Sequence, residues 1–183
     1  MILTGPTASG KSEIAEYIAH RFSGEIISAD SCQLYKHFDI GTAKPDYNTT
    51  VPYHLIDILE PTEKYSASDF ISDVDDIIEK IHCRGNIPII AGGTGFYIRA
   101  LTDGIFSEKL KDDKIRKELH DRHSNGDDLY SELNLVDPDA SQKIHRNNLV
   151  RVIRALEVFH LTGKPISWFW KNGEYRKSGY DFV

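Results

Sequence analysis

The chain has 183 residues, a formal net charge of −6, 40% hydrophobic and 27% charged side chains. That length buries a core of its own, as one domain or one domain with an insertion. The balance excludes a globally basic nucleic-acid binder, and no apolar run approaches the roughly 20 residues of a membrane span. Cys32 and Cys83 are too few for a disulfide framework and stand in no metal-ligand spacing, so reduced thiols of a cytoplasmic protein are expected. No targeting leader is expected either, since a Gly-rich loop begins at residue 5.

In chain order, Ile2 and Leu3 end a first strand. Gly5, Pro6, Thr7, Ala8, Ser9, Gly10, Lys11 and Ser12 then fit the phosphate-loop pattern G-x-x-x-x-G-K-[ST] at each fixed position. The glycines let backbone N–H groups and a helix N-terminus point at a di- or triphosphate. Lys11 is placed to reach the outer phosphate, and the Ser12 hydroxyl to ligate Mg²⁺. The helix over 12–22 is predicted to turn Ile14, Ala15, Ile18, Ala19 and Phe22 inward.

Residues 25–30 read as a buried strand ending in Asp30. The carboxylate there is either a magnesium-associated group or helix cap, or a general base. Residues 31–67 read as loop-rich, any long element being broken by Gly41, Pro45, Pro52 and Pro61, with His54 a structural loop histidine. Ser66 and Asp69 form a capping pattern for a helix burying Phe70, Ile71, Val74, Ile77, Ile78 and Ile81. A strand over 87–91 runs into Gly92-Gly93-Thr94-Gly95 and a helix to Leu101. This turn serves either tight strand–helix packing or close approach to a ligand. Strand, Gly-rich turn and helix repeat, which predicts a parallel α/β sheet with ligands at the strand C-termini.

Beyond residue 103 only helical patterns follow: 112–123, 127–133, one opened by Asp137-Pro138, and 147–161 closed by Gly163. The expected class is thus α/β, a P-loop NTPase-like parallel sheet core with an inserted all-helical subdomain. Its boundaries are 1–108 for the core, 109–172 for the insertion and 173–183 for a return to the core, with 178–183 as a strand. Acidic side chains crowd 57–79, whereas 141–177 is basic. Arg151 and Arg154 share one face of the last helix, with Lys143 and Arg146 upstream. They either pair with nearby acids on a solvated face or clamp a phosphate backbone. Trp168, Phe169 and Trp170 are read as core.

Taken together, Gly5–Ser12, Ser28–Tyr35, Asp39–Pro45, His54–Asp57, Tyr65–Ala67, Gly92–Tyr97 and Arg151–Glu157 resemble, in order, the motifs of the tRNA dimethylallyltransferase (tRNA isopentenyltransferase) family. The resemblance implies transfer of a dimethylallyl group from its diphosphate to the exocyclic amine of the adenine beside the anticodon. By motif, Asp30 is the base, the loop from Gly5 to Ser12 binds pyrophosphate with Mg²⁺, and Thr94 lies near the reaction channel. Asp30, Ser31, Cys32, Gln33, Arg116, Val150, Arg151, Val152, Ile153 and Arg154 match tRNA-contacting positions, and the insertion is the part that grips the anticodon stem-loop. A monomeric, membrane-free protein is expected. A family that instead prenylates adenine nucleotides, or a P-loop kinase, is the alternative. Two departures stand out: Arg146-Asn147-Asn148 replaces a usual Pro-Asn-Asp, and Phe96 a common Leu. Family members are longer, so 1–183 is expected to be a fragment with weak activity or none.

Overall fold

The computed structural model describes residues 1–6, 8–46, 48–104, 110–172 and 180. Strands β1 (Ile2–Thr4), β2 (Gly24–Ser28), β3 (Tyr53–His54) and β4 (Ile87–Gly92) form a sheet in the order β1-β4-β2-β3. Every pairing is parallel. Parallel neighbours cannot be joined by a tight turn, so the chain crosses over the sheet between them. Helix α1 (Lys11–Phe22) carries β1 to β2, and α2 (Ala67–Cys83) carries β3 to β4.

Alternation along the two central strands explains the layers. Ile26 and Ile89 face Ala15 and Ala19 of α1, while their neighbours Ile27 and Ile90 face Phe70, Val74, Ile78 and Ile81 of α2. With a helix on each face, β2 is buried at all its residues. Helix α3 (Gly95–Thr102) adds Ile98 and Leu101 to the α2 side. The predicted capping box is present: Asp69 N donates to Ser66 Oγ at 3.3 Å, and Ser66 N to the Asp69 carboxylate at 2.8 Å.

Two details differ from expectation in this unit. Ile14 and Phe22 are about half exposed, because the stripe that packs on the sheet is the narrow Ala15–Ala19 row. The loop-rich stretch 31–67 holds the short β3, and His54, read as a loop residue, lies on it; its register is set from across the sheet, Ile26 opposite Tyr53 and Ile27 opposite His54.

The chain divides into two compact units, Met1–Ile105 with Lys177–Val183, and Phe106–Arg176. The second unit holds α4 (Asp113–Ser124), α5 (Leu129–Val136), α6 (Pro138–Lys143), α7 (Leu149–Thr162) and α8 (Ile166–Asn172). Its own core joins Leu119, Leu129, Leu133, Val152, Leu156 and Phe169. Asp137 opens α6 as the Asp-Pro pair predicts. Its buried carboxylate accepts from Ala140 N at 3.0 Å and from Ser167 N at 2.9 Å, fastening α8 to the α6 start. Helix α8 was not anticipated. Of its aromatic run, Phe169 is core, whereas Trp168 and Trp170 are half-buried, with Lys164 Nζ 3.8 Å above the Trp168 ring. The strand expected over 178–183 lies outside the described residues except Tyr180, whose hydroxyl donates to Asp75 at 3.0 Å.

Candidate active site at the strand ends

The phosphate loop joins β1 to α1. Gly10, at φ 77°, is the residue before the helix, a left-handed conformation that glycine takes without strain. It leaves the first amides of α1 pointing outward, where helix geometry supplies no acceptor. Lys11 lies back along the loop, its ammonium donating to the Pro6 carbonyl and, at 3.4 Å, to Ser9 Oγ.

The ends of β2 and β4 meet beside this loop. Ala29 N donates to Ala91 O at 2.8 Å, and Thr94 N to Ala29 O at 3.0 Å. Thr94 Oγ1 accepts from Ser31 N at 2.9 Å and donates to Ser31 Oγ at 3.3 Å. Gly92 permits this approach, since a Cβ there would stand 2.2 Å from Ala29 O. So the hydroxyl of Thr94 works as a tie between the two turns, and Gly92 as the gap that lets them close. The turn then presents Asp30, one carboxylate oxygen of which accepts from Cys32 N at 2.9 Å.

A third segment completes the hollow. Gln33 spends its whole amide locally: Nε2 donates to Thr42 O at 3.0 Å and Ala43 O at 2.9 Å, while Oε1 accepts from Ser28 at 2.7 Å. This fastens residues 41–43 across from the phosphate loop. A cavity of about 360 Å³ results, lined among others by Gly10, Lys11, Ser12, Asp30, Gln33 and Gly93. That is the volume range of small-ligand sites, about 300–1,000 Å³. Tyr53 is also in the lining; its hydroxyl donates to Glu16 at 2.9 Å, and burial pushes its phenol pKa well above the ordinary value. Thr94 itself is not among the lining residues.

The Ser12 hydroxyl and Asp30 carboxylate share this cavity, and hard oxygen donors of this kind fit Mg²⁺, which keeps several waters and takes few protein ligands. No cluster of three His, Cys, Asp or Glu suited to a metal occurs among the described residues.

In the helical unit, the expected RNA-contacting residues divide. Glu157, fully buried, receives Arg116 Nε at 2.8 Å, Arg154 Nη1 at 2.6 Å and Asp112 N at 2.8 Å. Arg154 also donates to Leu110 O at 2.8 Å. Arg116 and Arg154 are thus committed at least partly to one carboxylate inside the fold. Val152 and Ile153 are core residues, so of the expected RNA-contacting residues on α7 the exposed ones are Val150 and Arg151. Arg146, for which pairing with an acid and clamping a phosphate were both open, pairs with the Asp128 carboxylate and lies 5.6 Å from the Tyr130 ring centre. Asn148 still caps α7, accepting from Arg151 N at 3.3 Å, so the lost acid of the usual motif costs no cap.

Sequence reasoning assigned no role to Glu157 or to Lys44. Lys44 carries one of the least exposed ammonium groups, bonded to Asp39, Asp57 and a main-chain carbonyl. An acid inside the basic run 141–177 was the one local signal for Glu157, and nothing local marked Lys44.

The sequence model of the IPP transferase family matches residues 33–183. The tRNA dimethylallyltransferase of Carboxydothermus hydrogenoformans is 48% identical over 185 residues, covering 98% of this chain and 60% of that protein. The enzyme of the same name from Hydrogenovibrio crunogenus is 45% identical over 177 residues, 95% of this chain and 55% of that one. Among solved structures, a eukaryotic dimethylallyltransferase acting on tRNA superposes with a TM-score of 0.83 at 32% identity, over 97% of this chain and 46% of its own. The full-length tRNA isopentenylpyrophosphate transferase of Bacillus halodurans gives 0.58 at 43% identity, over 90% and 56%. The chain therefore spans 55–60% of the curated relatives named here. A family match over most of the chain, and relatives this similar, establish that it belongs to the IPP transferase family.

Proposed function

We propose that this chain carries the diphosphate-binding and base-bearing part of a tRNA dimethylallyltransferase, acting in the cytoplasm. The substrate pair is dimethylallyl diphosphate and the adenine next to the anticodon of a tRNA. The observation that carries the proposal is the shared cavity: the phosphate loop and Asp30 open onto one hollow, and relatives at 45–48% identity are named for this transfer.

An adenine amine is a poor nucleophile, its lone pair being delocalised into the ring. In the proposed reaction N6 forms a bond to the allylic carbon as that carbon's bond to the diphosphate oxygen breaks. Pyrophosphate leaves with the bond electrons, and Asp30 takes the N6 proton. The amides of the Gly5–Ser12 loop and Lys11 hold the departing oxygens, placing positive charge where negative charge develops. Mg²⁺, held through Ser12 and the diphosphate, supplies further charge neutralisation when bound. The bound adenine reaches the site only out of the anticodon stack, as in other enzymes that act on a base. Exposed Arg151 and Val150 on α7 are the side chains offered to the RNA, a basic residue for phosphate and an apolar one beside it.

Labelled dimethylallyl diphosphate with Mg²⁺ and either unmodified tRNA, AMP or ATP tests the proposal. Label is expected in tRNA. Label in AMP but not in tRNA replaces the RNA substrate with a nucleotide, and ATP hydrolysis without label transfer points to a kinase.

A further inference from the structure

The cavity wall opposite the phosphate loop, Gly41 to Ala43 and Pro45, belongs to no helix or strand. Something must hold it, and the conformations involved are costly ones. Ala43 (φ 49°) lies in this segment, His37 (φ 66°) a few residues before it, and Leu55 (φ 61°) and Asp57 (φ 53°) in the loop beside it. Left-handed backbone is uncommon for non-glycine residues and persists where surrounding contacts over-determine it.

Between the two loops sits Lys44, its side chain only 6% exposed. Its ammonium donates to Asp57 Oδ1 at 2.5 Å, to Asp39 Oδ1 at 2.8 Å and to Tyr35 O at 2.9 Å. All three donors of the ammonium have a partner, one from each segment that meets there. Burial alone lowers a lysine pKa, yet the bonds to Asp39 and Asp57 outweigh it and raise this one. The charge is therefore kept, and with it the tie. Gln33 grips the same wall by two main-chain carbonyls, so Lys44 supplies the only buried charge in the fastening described here.

We propose that Lys44 is a positioning residue: its ammonium, drawn onto Asp39, Asp57 and the Tyr35 carbonyl, holds the Gly41–Pro45 wall in the shape that receives the non-phosphate part of the allyl diphosphate. This rests on reading the cavity as the diphosphate site. Lys44 touches neither the phosphate loop nor Asp30 in any contact described above. Releasing the wall leaves the phosphate end of the cavity intact and loosens the other end.

The test compares two ligands in calorimetric titrations of the wild-type chain and of Lys44→Met: magnesium pyrophosphate, which needs the phosphate loop alone, and dimethylallyl diphosphate, which also needs the wall. In Lys44→Met, pyrophosphate affinity is expected to stay within about twofold. Affinity for dimethylallyl diphosphate falls about tenfold, as the competent wall becomes a minor conformation. General destabilisation moves both affinities together and leaves their ratio unchanged. Because Lys44→Met removes the ammonium from two carboxylates at once, Lys44→Met/Asp57→Asn, which also takes away one of those charges, is measured alongside it, with the same selective loss expected. An unchanged ratio in the folded variants overturns the role of Lys44 alone. If the wild type binds neither ligand, the diphosphate reading falls and this proposal with it.

Discussion

Glu25 stands at the start of β2, only 3% exposed, and is met by four donors from three directions. Arg84 contributes Nε at 2.8 Å and Nη2 at 2.7 Å, Asn86 its amide at 2.8 Å, and His54 Nε2 a contact of 2.7 Å. The Arg84 bond, against the opposing effect of burial, is the main cause that holds the carboxyl at about 2, below its ordinary 4.5. At 1.36 kcal/mol per unit, that shift contributes about 3 kcal/mol to folding. The folded pKa is the depressed one, so this stability is complete above about pH 4.5 and disappears as pH falls towards 2. Urea unfolding of the wild type and Glu25→Gln should therefore show a stability gap at pH 7 that shrinks steadily below pH 4.5. A gap independent of pH would mean the charge contributes nothing. The same group explains His54: it lies on β3, and its ring is held by this buried carboxylate. Asp30 is the contrasting case, a carboxylate on the cavity wall with one oxygen taken by Cys32 N. Asp30→Asn keeps its size while removing the base, so transfer to tRNA is expected to fall by about 10²–10⁴ with pyrophosphate binding retained. Undiminished turnover sinks the assignment.

At the scale of elements, the turns after β2 and β4 act as one device, and Gly92 is the residue on which it closes. A methyl group there meets the Ala29 carbonyl oxygen at 2.2 Å and its carbon at 2.3 Å, both main-chain atoms that no rotamer change can move. Gly92→Ala must part the two turns. We expect a loss of at least about 2 kcal/mol in stability, and weaker diphosphate binding as Asp30 and the phosphate loop separate. Ala at 92 with an unchanged melting temperature would contradict the close approach. The α2 helix was legible because its pattern is local: a capping box, then apolar residues at helical spacing through Phe70, Val74, Ile78 and Ile81. The phosphate loop was legible for the same reason. What escaped reading depends on distant partners. β3 has two residues and exists because β2 offers a ladder; Glu157 is explained by Asp112 and Arg116, more than forty positions earlier in the chain. Helix α8 opens without a cap signal, and its Trp-Phe-Trp run shows no period. On α7, periodicity identified an outer face but not which arginines stay on it. Arg151 does, and Arg154 turns to Glu157. If α7 faces RNA, Arg151→Ala should weaken tRNA binding and reduce the salt slope by about one counterion. An unchanged slope leaves Arg151 a solvated side chain.

At the scale of the whole molecule, the decisive fact is that the apolar clusters among the described residues are separate. Around the sheet, Ile27, Phe70, Val74, Ile81, Ile90 and Leu101 make one cluster, with Ala15, Ile26 and Ile89 on the opposite sheet face. In the helical unit, Leu119, Leu133, Val152, Leu156 and Phe169 make a separate one. Cooperative unfolding follows the contiguous core, because that is where the loss of one contact exposes the next. Two cores therefore predict two cooperative units. Phe70 and Leu156 report on one each; both are fully buried. Truncation to alanine leaves a cavity in place of packed side chain, at about 2–5 kcal/mol for either residue. Calorimetry should resolve the melt into two components. Leu156→Ala should lower only one midpoint and Phe70→Ala only the other, and the Phe70 variant alone should lose pyrophosphate binding at the temperature of its own transition. If instead both variants shift a single transition by the same amount, the two cores unfold as one, and the helical unit is not an independent folding element.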